Sequence, residues 1–544
     1  MLIRTHTQIA IILAVFIAVC PAAEQAGESV SVIPQPVSME VNDGYFEIGP
    51  QTRVAAENEA ATEAAKLIDA LAPAMGFKLN IADASQRRRG TIALELEKDL
   101  SKLGDEGYML RVSPRRISIR AKEPAGLFYG IQTLLQLLPE QVLSRTKAEG
   151  VQWKVPSVRI TDYPRFGWRG LLVDPARHFI PMQDLMRYID IMALHKYNSL
   201  QIHLTDDTGW RIEVKRYPKL TETGAWMDFT AMRHIDEVKE AADKRPGGFY
   251  SQDDIRQIVK YAAGRHIKIL PEIEMPAHTG AAIISYPEIG LYPEKLGALL
   301  VEKRWNANER VLAPRPKTVE FMQNVLTEVI ELFPNIYIHI GGDEANIEHW
   351  KNSEEMQAQE RELGLKDDAE LHSWFIRQMD SFLSSHGRRL VGWDEILQGG
   401  LAPGATVMSW RGQQGGITAA NAGHDVVMAP TSHTYFDYYQ GPSDKEPLAI
   451  GGDLPLEKAY EFEPIPKDID AARRKHVLGV QGQLWGEFIS NTPHLEYMTY
   501  PRAAALAEIG WSPETSRDYE KFLARLRSHL KRLDAAGVNY RKLD

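Results

Sequence analysis

The sequence predicts an α/β fold, in which a smaller α+β domain precedes a TIM (β/α)8 barrel. From Phe166 onward, eight short apolar runs end in polar clusters, and most of them are separated by stretches with helical periodicity. Strand–helix alternation indicates a parallel sheet, and eight such units fit a TIM barrel. The eight runs are Arg169–His178, Ser199–Asp207, His266–His278, Asn335–Glu344, Arg389–Glu395, Ala405–Trp410, Asp425–Asp437 and Val477–Glu487.

Helix candidates lie between these runs. In Thr318–Leu332, the apolar residues Val319, Met322, Val325 and Leu326 share one stripe, which is the helical period. The other candidates are Met182–Leu194, Asp253–Ala263 and Leu371–Leu383. We place the barrel over residues 159–515. Residues 516–544 should form a C-terminal helix that packs on the barrel.

Residues 24–158 are predicted to form the α+β accessory domain. Thr91–Leu96 and Ile117–Arg120 alternate apolar and polar residues, as half-buried strands do. Ala125–Leu138 is long and apolar enough to be a helix packed on their sheet. No motif in this domain indicates a catalytic or ligand-binding role.

The N-terminus reads as a secretory signal peptide over residues 1–23. Arg4 precedes a twelve-residue apolar run, Ile9–Cys20, and small residues follow it. We therefore expect an exported protein, periplasmic or secreted. Anchoring as a lipoprotein through Cys20 is the alternative, but Val19 is bulky where a small residue is usual. Export without any other cysteine suggests a bacterial envelope or medium.

Charge and hydropathy limit the partners. The formal net charge of -10 gives no support for nucleic acid as a partner. After signal removal, no segment reaches the roughly 18 uncharged apolar residues that a membrane span needs. The oligomeric state is not predicted.

Asp343 and Glu344 follow the fourth run and are neighbours in sequence. If both are shielded from water, one of them should keep its proton near neutral pH. A helix-capping pair is the alternative interpretation, since acids favour helix starts. Gly341 and Gly342 favour a functional site, because glycines let backbone and ligand approach closely.

Other strand ends carry residues that suit a sugar site. Aromatic faces pack on pyranose C–H surfaces, while acids and arginine bind hydroxyls. For any single tryptophan, core packing is the alternative. These strand ends supply Arg177, Asp206, Asp207, His278, Trp393, Trp410, Tyr435, Asp437, Trp485 and Glu487.

The run His339–Glu344 (HIGGDE) resembles the signature of the β-N-acetylhexosaminidases, glycoside hydrolase family 20. The resemblance extends from about Ile33 to Arg541. It also covers Arg177–Phe179, His203–Asp207, Pro276–His278, Tyr435–Asp437 and Trp485–Glu487. It implies an exo-acting enzyme that removes terminal non-reducing GlcNAc, or GalNAc, from glycans or chitooligosaccharides. Family 20 uses substrate-assisted catalysis with retention, through an oxazolinium intermediate.

The resemblance also implies roles for individual residues. Glu344 would be the general acid and then the base, with a pKa raised by burial and by its charged neighbour. Asp343 would accept the acetamido N–H, and Tyr435 would donate to the acetamido oxygen. The remaining implied residues are Trp393, Trp410 and Trp485 as pocket walls, Arg177 and Glu487 at O3 and O4, Asp437 near O6, and Asp206 and His278 behind the catalytic pair.

Several points stay open at this stage. Asp207 and His339 are either structural or functional. His203 and His195 are read as structural histidines. We expect no cofactor and no metal; the alternative is a metal on His203 with Asp206, or on His339 with Asp343.

The segment Trp226–Gly248 is long for the loop after the second strand, which leaves linkage preference undecided. Two other functions compete with the leading one. The first is a glycosidase with Asp206 or Glu487 as nucleophile, and the second is a glycan-binding protein without turnover.

Overall fold

The computed structural model describes residues 30–82, 89–226, 247–293 and 311–543. The predicted signal peptide with Cys20, and residues 227–246 of the long segment, lie outside these ranges. Among the described residues, no helix combines the length and apolarity required to cross a bilayer.

The N-terminal part forms one mixed seven-stranded sheet. Its order is β1-β7-β5-β6-β4-β2-β3, with β1 Ser38–Glu47, β2 Arg53–Ala55, β3 Asn80–Ala82, β4 Thr91–Leu96, β5 Tyr108–Ser113, β6 Arg116–Ala121 and β7 Lys154–Asp162. Helix Pro124–Leu137 packs on this sheet and is buried over nearly its whole length. The predicted strands and helix of this α+β part are confirmed. Strand β7 runs past residue 158, and the domain boundaries themselves stay a prediction.

The second part is a closed barrel of eight parallel strands, as predicted. A two-stranded hairpin, β10–β11, follows the second barrel strand. In chain order the strands are β8 Trp168–Val173, β9 Ser199–His203, β10 Thr205–Asp206, β11 Gly209–Trp210, β12 Lys268–Met275, β13 Tyr337–Gly341, β14 Arg389–Trp393, β15 Thr406–Ser409, β16 Val426–Met428 and β17 Val477–Gly482. Each predicted run coincides with one barrel strand, apart from Trp168, which begins β8 one residue before its run, and the polar end of each run follows at the carboxyl side.

Helices connect the strands and cover the barrel. The predicted helices are all present, and the ends of those between the barrel strands are shifted by up to three residues. The C-terminal helix, predicted within residues 516–544, spans Tyr519–Ala535. The α-helices are Ala60–Met75, Pro124–Leu137, Met182–Leu194, Lys219–Glu222, Gln252–Ala263, Gly280–Ser285, Pro316–Leu332, Glu348–Lys351, Glu354–Leu363, Asp368–Ser385, Gln414–Ala422, Thr431–Thr434, Leu456–Tyr460, Thr492–Thr499, Arg502–Trp511 and Tyr519–Ala535. The 3-10 helices are Lys98–Leu103, Glu140–Leu143, Gly224–Trp226, Pro287–Ile289, Asp394–Leu397, Ser443–Lys445, Arg474–His476 and Glu514–Ser516.

Buried polar contacts join the sheet, the barrel and the C-terminal helix. Lys196 Nζ lies 2.8 Å from Asp162 Oδ2, and both side chains are fully buried. On the C-terminal helix, His529 Nε2 lies 2.8 Å from Nε2 of His195, which is on the turn after helix Met182–Leu194. The structural interpretation of His195 agrees with this position.

The barrel interior changes character along its axis. An apolar cluster that includes Trp168, Leu172, Leu270 and Met408 fills part of it. Towards the carboxyl ends of the strands, buried polar and charged side chains replace apolar ones, among them Gln201, His203, Glu272 and His339. Because burying charge is costly unless it is paired, this polar layer points to a site above it.

Candidate active site

A cavity of about 290 Å³ opens at the carboxyl ends of the barrel strands. This is the face on which TIM-barrel enzymes carry their active sites. Ten residues that the sequence predicts for the site line it: Arg177, His278, Asp343, Glu344, Trp393, Trp410, Tyr435, Asp437, Trp485 and Glu487. Asp206 does not line the cavity but lies directly behind it, in contact with Arg177 and His278. The structure therefore brings the predicted site residues together.

The cavity also has four lining residues that sequence reasoning missed. All belong to the stretch after the seventh barrel strand, which carries no apolar run or acidic pair to mark it. They are Tyr438, Ile450, Gly451 and Gly452. A Cβ atom on Gly452 would come within 2.4 Å of the Tyr438 ring, so the glycine lets this ring pack into the wall.

The backbone places Asp343 and Glu344 in different environments. Gly341, Gly342 and Glu344 have φ angles of 70°, 91° and 47°, so the chain turns sharply after β13. Asp343 is 9% exposed, whereas the Glu344 side chain is 58% exposed. The Asp343 carboxyl therefore lies deep in the cavity wall, whereas the Glu344 carboxyl is largely exposed to solvent.

The pKa values of this pair correct one prediction. We expected burial to raise the pKa of Glu344, but a hydrogen bond with His278 lowers it and outweighs the effect of burial. The group with the raised pKa is Asp343, because of burial first and then the charges of Glu272 and Glu344. His278 faces both carboxyls, but for the buried Asp343 its effect is outweighed by burial and by the neighbouring acids.

His278 links Glu344 to the interior. Its Nε2 lies 3.3 Å from Glu344 Oε2 and 3.6 Å from Asp343 Oδ2. Its Nδ1 lies 3.4 Å from Asp206 Oδ2 and 3.6 Å from Asp207 Oδ2. Burial alone would lower the pKa of His278, but these carboxyls raise it well above its ordinary value. The imidazole therefore carries positive charge beside Glu344.

Arg177 forms the second positive centre. Its Nη2 lies 2.8 Å from Asp206 Oδ2 and 3.9 Å from Glu487 Oε1, and its Nη1 lies 3.0 Å from Asp174 Oδ2. The guanidinium also stands 5.0 Å from the centre of the Trp485 ring. Although burial disfavours the Asp206 charge, Arg177 and the nearby imidazoles lower the pKa of this carboxyl. Asp206 is thus a buried anion held in place by cations.

A buried acid layer under the cavity was also missed. Glu272 accepts hydrogen bonds from Gln201 Nε2 at 2.8 Å and Trp393 Nε1 at 2.9 Å, and its Oε2 lies 2.7 Å from His203 Nδ1. His339 Nδ1 lies 2.9 Å from its Oε1. His203 and His339, which the sequence left as structural or undecided, are therefore part of this layer. Two acids inside an apolar strand, in Lys268–Met275, were the available signal.

Aromatic rings form the walls of the cavity. Trp410 and Tyr435 stack with ring centres 6.2 Å apart, and Trp393 and Trp485 lie 5.6 Å apart. Trp410 Nε1 donates to Glu395 Oε2 at 2.9 Å. Burial, with the nearby Asp437 charge, raises the pKa of Tyr435 well above its ordinary value, so its hydroxyl stays protonated. The cavity walls are therefore aromatic ring faces, with the Tyr435 hydroxyl as a polar group between them.

Among the residues that the structure describes, imidazole and carboxyl groups close enough to hold a cation occur in three clusters. In each of them the ligand atoms lie within 4.8 Å of one another. In these clusters His203 and His278 already face the carboxylates as ion-pair partners. The acids therefore have positive neighbours from the chain itself, and we assign no metal to them.

An adjacent acid pair, a hydroxyl donor and indole walls at the mouth of a TIM barrel together define the site of a glycoside hydrolase. Comparison with known proteins agrees. The pattern described as glycosyl hydrolase family 20, catalytic domain, matches residues 166–514, and domain 2 of the same family matches residues 29–163. The chain belongs to glycosyl hydrolase family 20.

Three similar proteins illustrate the membership. A β-hexosaminidase of Porphyromonas gingivalis is 42% identical over 516 residues, covering 94% of this chain and 64% of that protein. A β-hexosaminidase of Vibrio furnissii is 36% identical, with 90% of this chain and 77% of that protein covered. The solved structure of a Vibrio harveyi exo-β-N-acetylglucosaminidase in complex with N-acetylglucosamine has a TM-score of 0.82 at 34% identity, covering 94% of this chain and 78% of that one. The chain thus spans less than two thirds of the Porphyromonas gingivalis protein.

Proposed function

We propose that this glycoside hydrolase is an exo-acting β-N-acetylhexosaminidase. It removes a terminal non-reducing GlcNAc or GalNAc from glycans or chitooligosaccharides, with retention of configuration. The observation that carries the proposal is the joint presence of Asp343, Glu344 and Tyr435 on one cavity of about 290 Å³. That volume lies just below the range of about 300–1,000 Å³ for pockets that hold drug-sized ligands, which suits one terminal sugar.

The adjacent acids support substrate-assisted chemistry. Most retaining glycosidases place an acid and a nucleophile about 5 Å apart across the scissile bond, and neighbouring residues are poorly placed for that. Instead, the 2-acetamido oxygen of the sugar attacks its own anomeric carbon and forms an oxazolinium ion. Asp343 accepts the acetamido N–H, and Tyr435 donates its hydroxyl to the acetamido oxygen. Such preorganised contacts stabilise charge that develops in the transition state.

Glu344 gives a proton to the departing oxygen and later takes one from water. In the free chain, Glu344 and His278 face each other at 3.3 Å, and His278 keeps its proton to high pH. We infer that the pair holds one shared proton through neutral pH. A bound sugar excludes water from Glu344, which favours the protonated carboxyl.

The pH profile tests this pairing. In wild type, kcat/KM should fall on the alkaline side at the latest when the pair loses its proton. In His278→Asn, Glu344 must hold the proton alone, so the alkaline limb should move to lower pH. An unchanged alkaline limb in a folded His278→Asn variant contradicts the shared proton.

The remaining residues explain chain-end binding. Trp393, Trp410 and Trp485 surround the sugar and its acetamido group. Arg177 and Glu487 bind the O3 and O4 hydroxyls. Together with Asp437 near O6, these contacts use three hydroxyls that are all unsubstituted only at a non-reducing end.

Activity on p-nitrophenyl N-acetyl-β-glucosaminide beside the plain β-glucoside tests the central proposal. We expect turnover of the first and very little of the second, because the glucoside lacks the attacking oxygen. A thiazoline analogue of the oxazolinium should bind more tightly than substrate. Comparable rates on both glycosides would refute the mechanism.

The competing functions make different predictions. A nucleophilic Asp206 is disfavoured because this carboxylate is 3% exposed and paired with Arg177, behind the cavity wall. For Glu487 as nucleophile, Glu487→Ala should abolish the glycosyl-transfer step while azide restores it. A binding protein without turnover predicts that Glu344→Gln and wild type behave alike.

We also propose that the chain is exported to the periplasm or the medium after removal of residues 1–23. N-terminal sequencing of protein from fractionated cells tests this. An intact Met1 in the cytosolic fraction contradicts export, and lipid on Cys20 contradicts the signal-peptide cleavage at residue 23.

A further inference from the structure

Glu274 lies under the cavity in an unusual position. It is the penultimate residue of β12 and is 1% exposed. Its backbone N–H donates to Thr205 Oγ1 at 2.8 Å, which fixes the main chain. Its carboxyl packs closely against Gly341, the last residue of β13, because a Cβ atom added to this glycine would lie 1.7 Å from Glu274 Oε2. The carboxyl thus occupies space that only a glycine leaves, two residues before Asp343.

The two carboxyl groups have complementary vacant hydrogen-bonding capacity. Neither oxygen of Glu274 has a hydrogen-bond partner among the described residues, and Oδ1 of Asp343 has none either. An ionised carboxylate only accepts, whereas a protonated one offers a donor. An unpartnered buried anion is costly, so one of these two acids should carry a proton.

The surroundings decide which acid that is. The pKa of Asp343 is also raised by burial, but His278 Nε2 lies 3.6 Å from Asp343 Oδ2 and favours its ionised form. Burial raises the pKa of Glu274 well above its ordinary value, and among the neighbouring charges Asp343 and Glu272 raise it further. The charged groups that face it are Glu272 on the same strand, Asp343 after β13, Asp206 and His203 from β9–β10, and His278. His203 Nδ1 lies 3.8 Å from Glu274 but 2.7 Å from Glu272, so His203 pairs mainly with Glu272.

Glu272 provides an internal comparison. It stands two residues earlier on the same strand and is equally buried. Despite that burial, His339 and His203 lower its pKa well below the ordinary value. One strand therefore presents an ionised and a neutral carboxyl side by side, an arrangement that separates acid and base roles.

We propose that Glu274 is a positioning residue of the reaction: as a neutral buried acid, it donates its proton to Oδ1 of Asp343 and holds that carboxylate ionised and aimed at the substrate. The inference rests on the proposed role of Asp343 in binding the acetamido N–H. When Glu274 loses its proton at high pH, the buried carboxylates of Glu274 and Asp343 repel each other, and Asp343 is no longer held in the orientation that binds substrate.

Two variants separate a donor from a structural side chain. Glu274→Gln keeps a donor that cannot be lost, so kcat near neutral pH should stay within about threefold of wild type, and the activity should persist further into the alkaline range. Glu274→Leu has similar size but no donor, so kcat should fall roughly 10- to 100-fold while KM changes little, the cost of a hydrogen bond to a charged group.

A spectroscopic measurement reads the proton without turnover. The infrared difference spectrum of wild type minus Glu274→Gln, at neutral pH, should contain the C=O stretch of a protonated carboxylic acid. This readout remains valid if the chain fails to cleave N-acetylhexosaminides, so failure of the proposed function and failure of this inference are distinguishable. If Glu274→Leu does not fold, Glu274→Gln and the infrared spectrum still decide.

Three outcomes overturn the proposal: carboxylate bands in place of the acid band, a folded Glu274→Leu as active as wild type, or a folded Glu274→Gln that loses activity at every pH. The last would show that the ionised form of Glu274 is required.

Discussion

Replacing Tyr435 with phenylalanine removes one oxygen atom from the proposed catalytic set. The ring is 6% exposed and stacks on Trp410 at 6.2 Å, and phenylalanine preserves both features. The phenol stays protonated, because burial raises its pKa well above the ordinary value. Loss of one donor of the oxyanion-hole type costs about 2.7–4 kcal/mol. At 1.36 kcal/mol per tenfold in rate, kcat should fall by roughly 10² to 10³.

Initial rates on p-nitrophenyl N-acetyl-β-glucosaminide, with kcat and KM separated, measure this effect. KM should change much less than kcat, since the hydroxyl acts mainly on charge that develops in the transition state. Tyr438→Phe is the matched control, because Tyr438 lines the same cavity without an assigned contact to the acetamido group. A Tyr435→Phe variant within threefold of wild type, or a Tyr438→Phe variant equally impaired, would refute the reasoning.

Three further predictions concern stability and the pocket wall. Lys196→Met leaves Asp162 buried without its cation, so the free energy of unfolding in urea should drop by about 3–5 kcal/mol, and adding Asp162→Asn should recover part of it. Burial lowers the pKa of His195 to about 4, and the unfolded chain therefore binds that proton first. The contribution of His195 to the free energy of unfolding should be complete above about pH 6.5 and fall by about 3 kcal/mol towards pH 4. His529→Phe removes a second histidine with a lowered pKa and should make stability less dependent on pH. A wild-type stability that does not change between pH 6.5 and pH 4 contradicts the prediction. Gly452 has a φ of +69°, and a Cβ atom added there would lie 2.4 Å from the Tyr438 ring on the pocket wall. Gly452→Ala should therefore displace this ring and raise KM. An unchanged KM would show that the wall adapts.

Fold prediction worked because a barrel repeats one signal eight times. Each strand is an apolar run that ends in polar residues, and the alternation with helices fixes a parallel sheet. Run lengths were less reliable. Asp425–Asp437 yields only the strand Val426–Met428, and a short helix, Thr431–Thr434, follows it. Pro430 explains the early end, since proline has no N–H to donate to a neighbouring strand.

The rim of the site was predictable for the same reason, but its protonation was not. Adjacency correctly indicated that Asp343 and Glu344 should differ in proton affinity, yet we assigned the raised pKa to the wrong acid. Glu344, at a positive φ, is more exposed and hydrogen-bonds with His278, while Asp343 is buried beside Glu272 and Glu344. Backbone direction and a distant imidazole decide the outcome, and neither is visible in the six-residue motif.

The acid layer shows most clearly where sequence reasoning stops. Glu272 and Glu274 are two residues apart on one strand, so the period of two places both on the same face of the sheet. That much follows from the sequence. Their charges diverge because His339 and His203, from two other strands, face Glu272 and lower its pKa, while Gln201 and Trp393 donate hydrogen bonds to it. Equal residues at equivalent positions thus differ in ionisation through partners that only barrel closure supplies, and the proton on Glu274 is a property of the closed barrel.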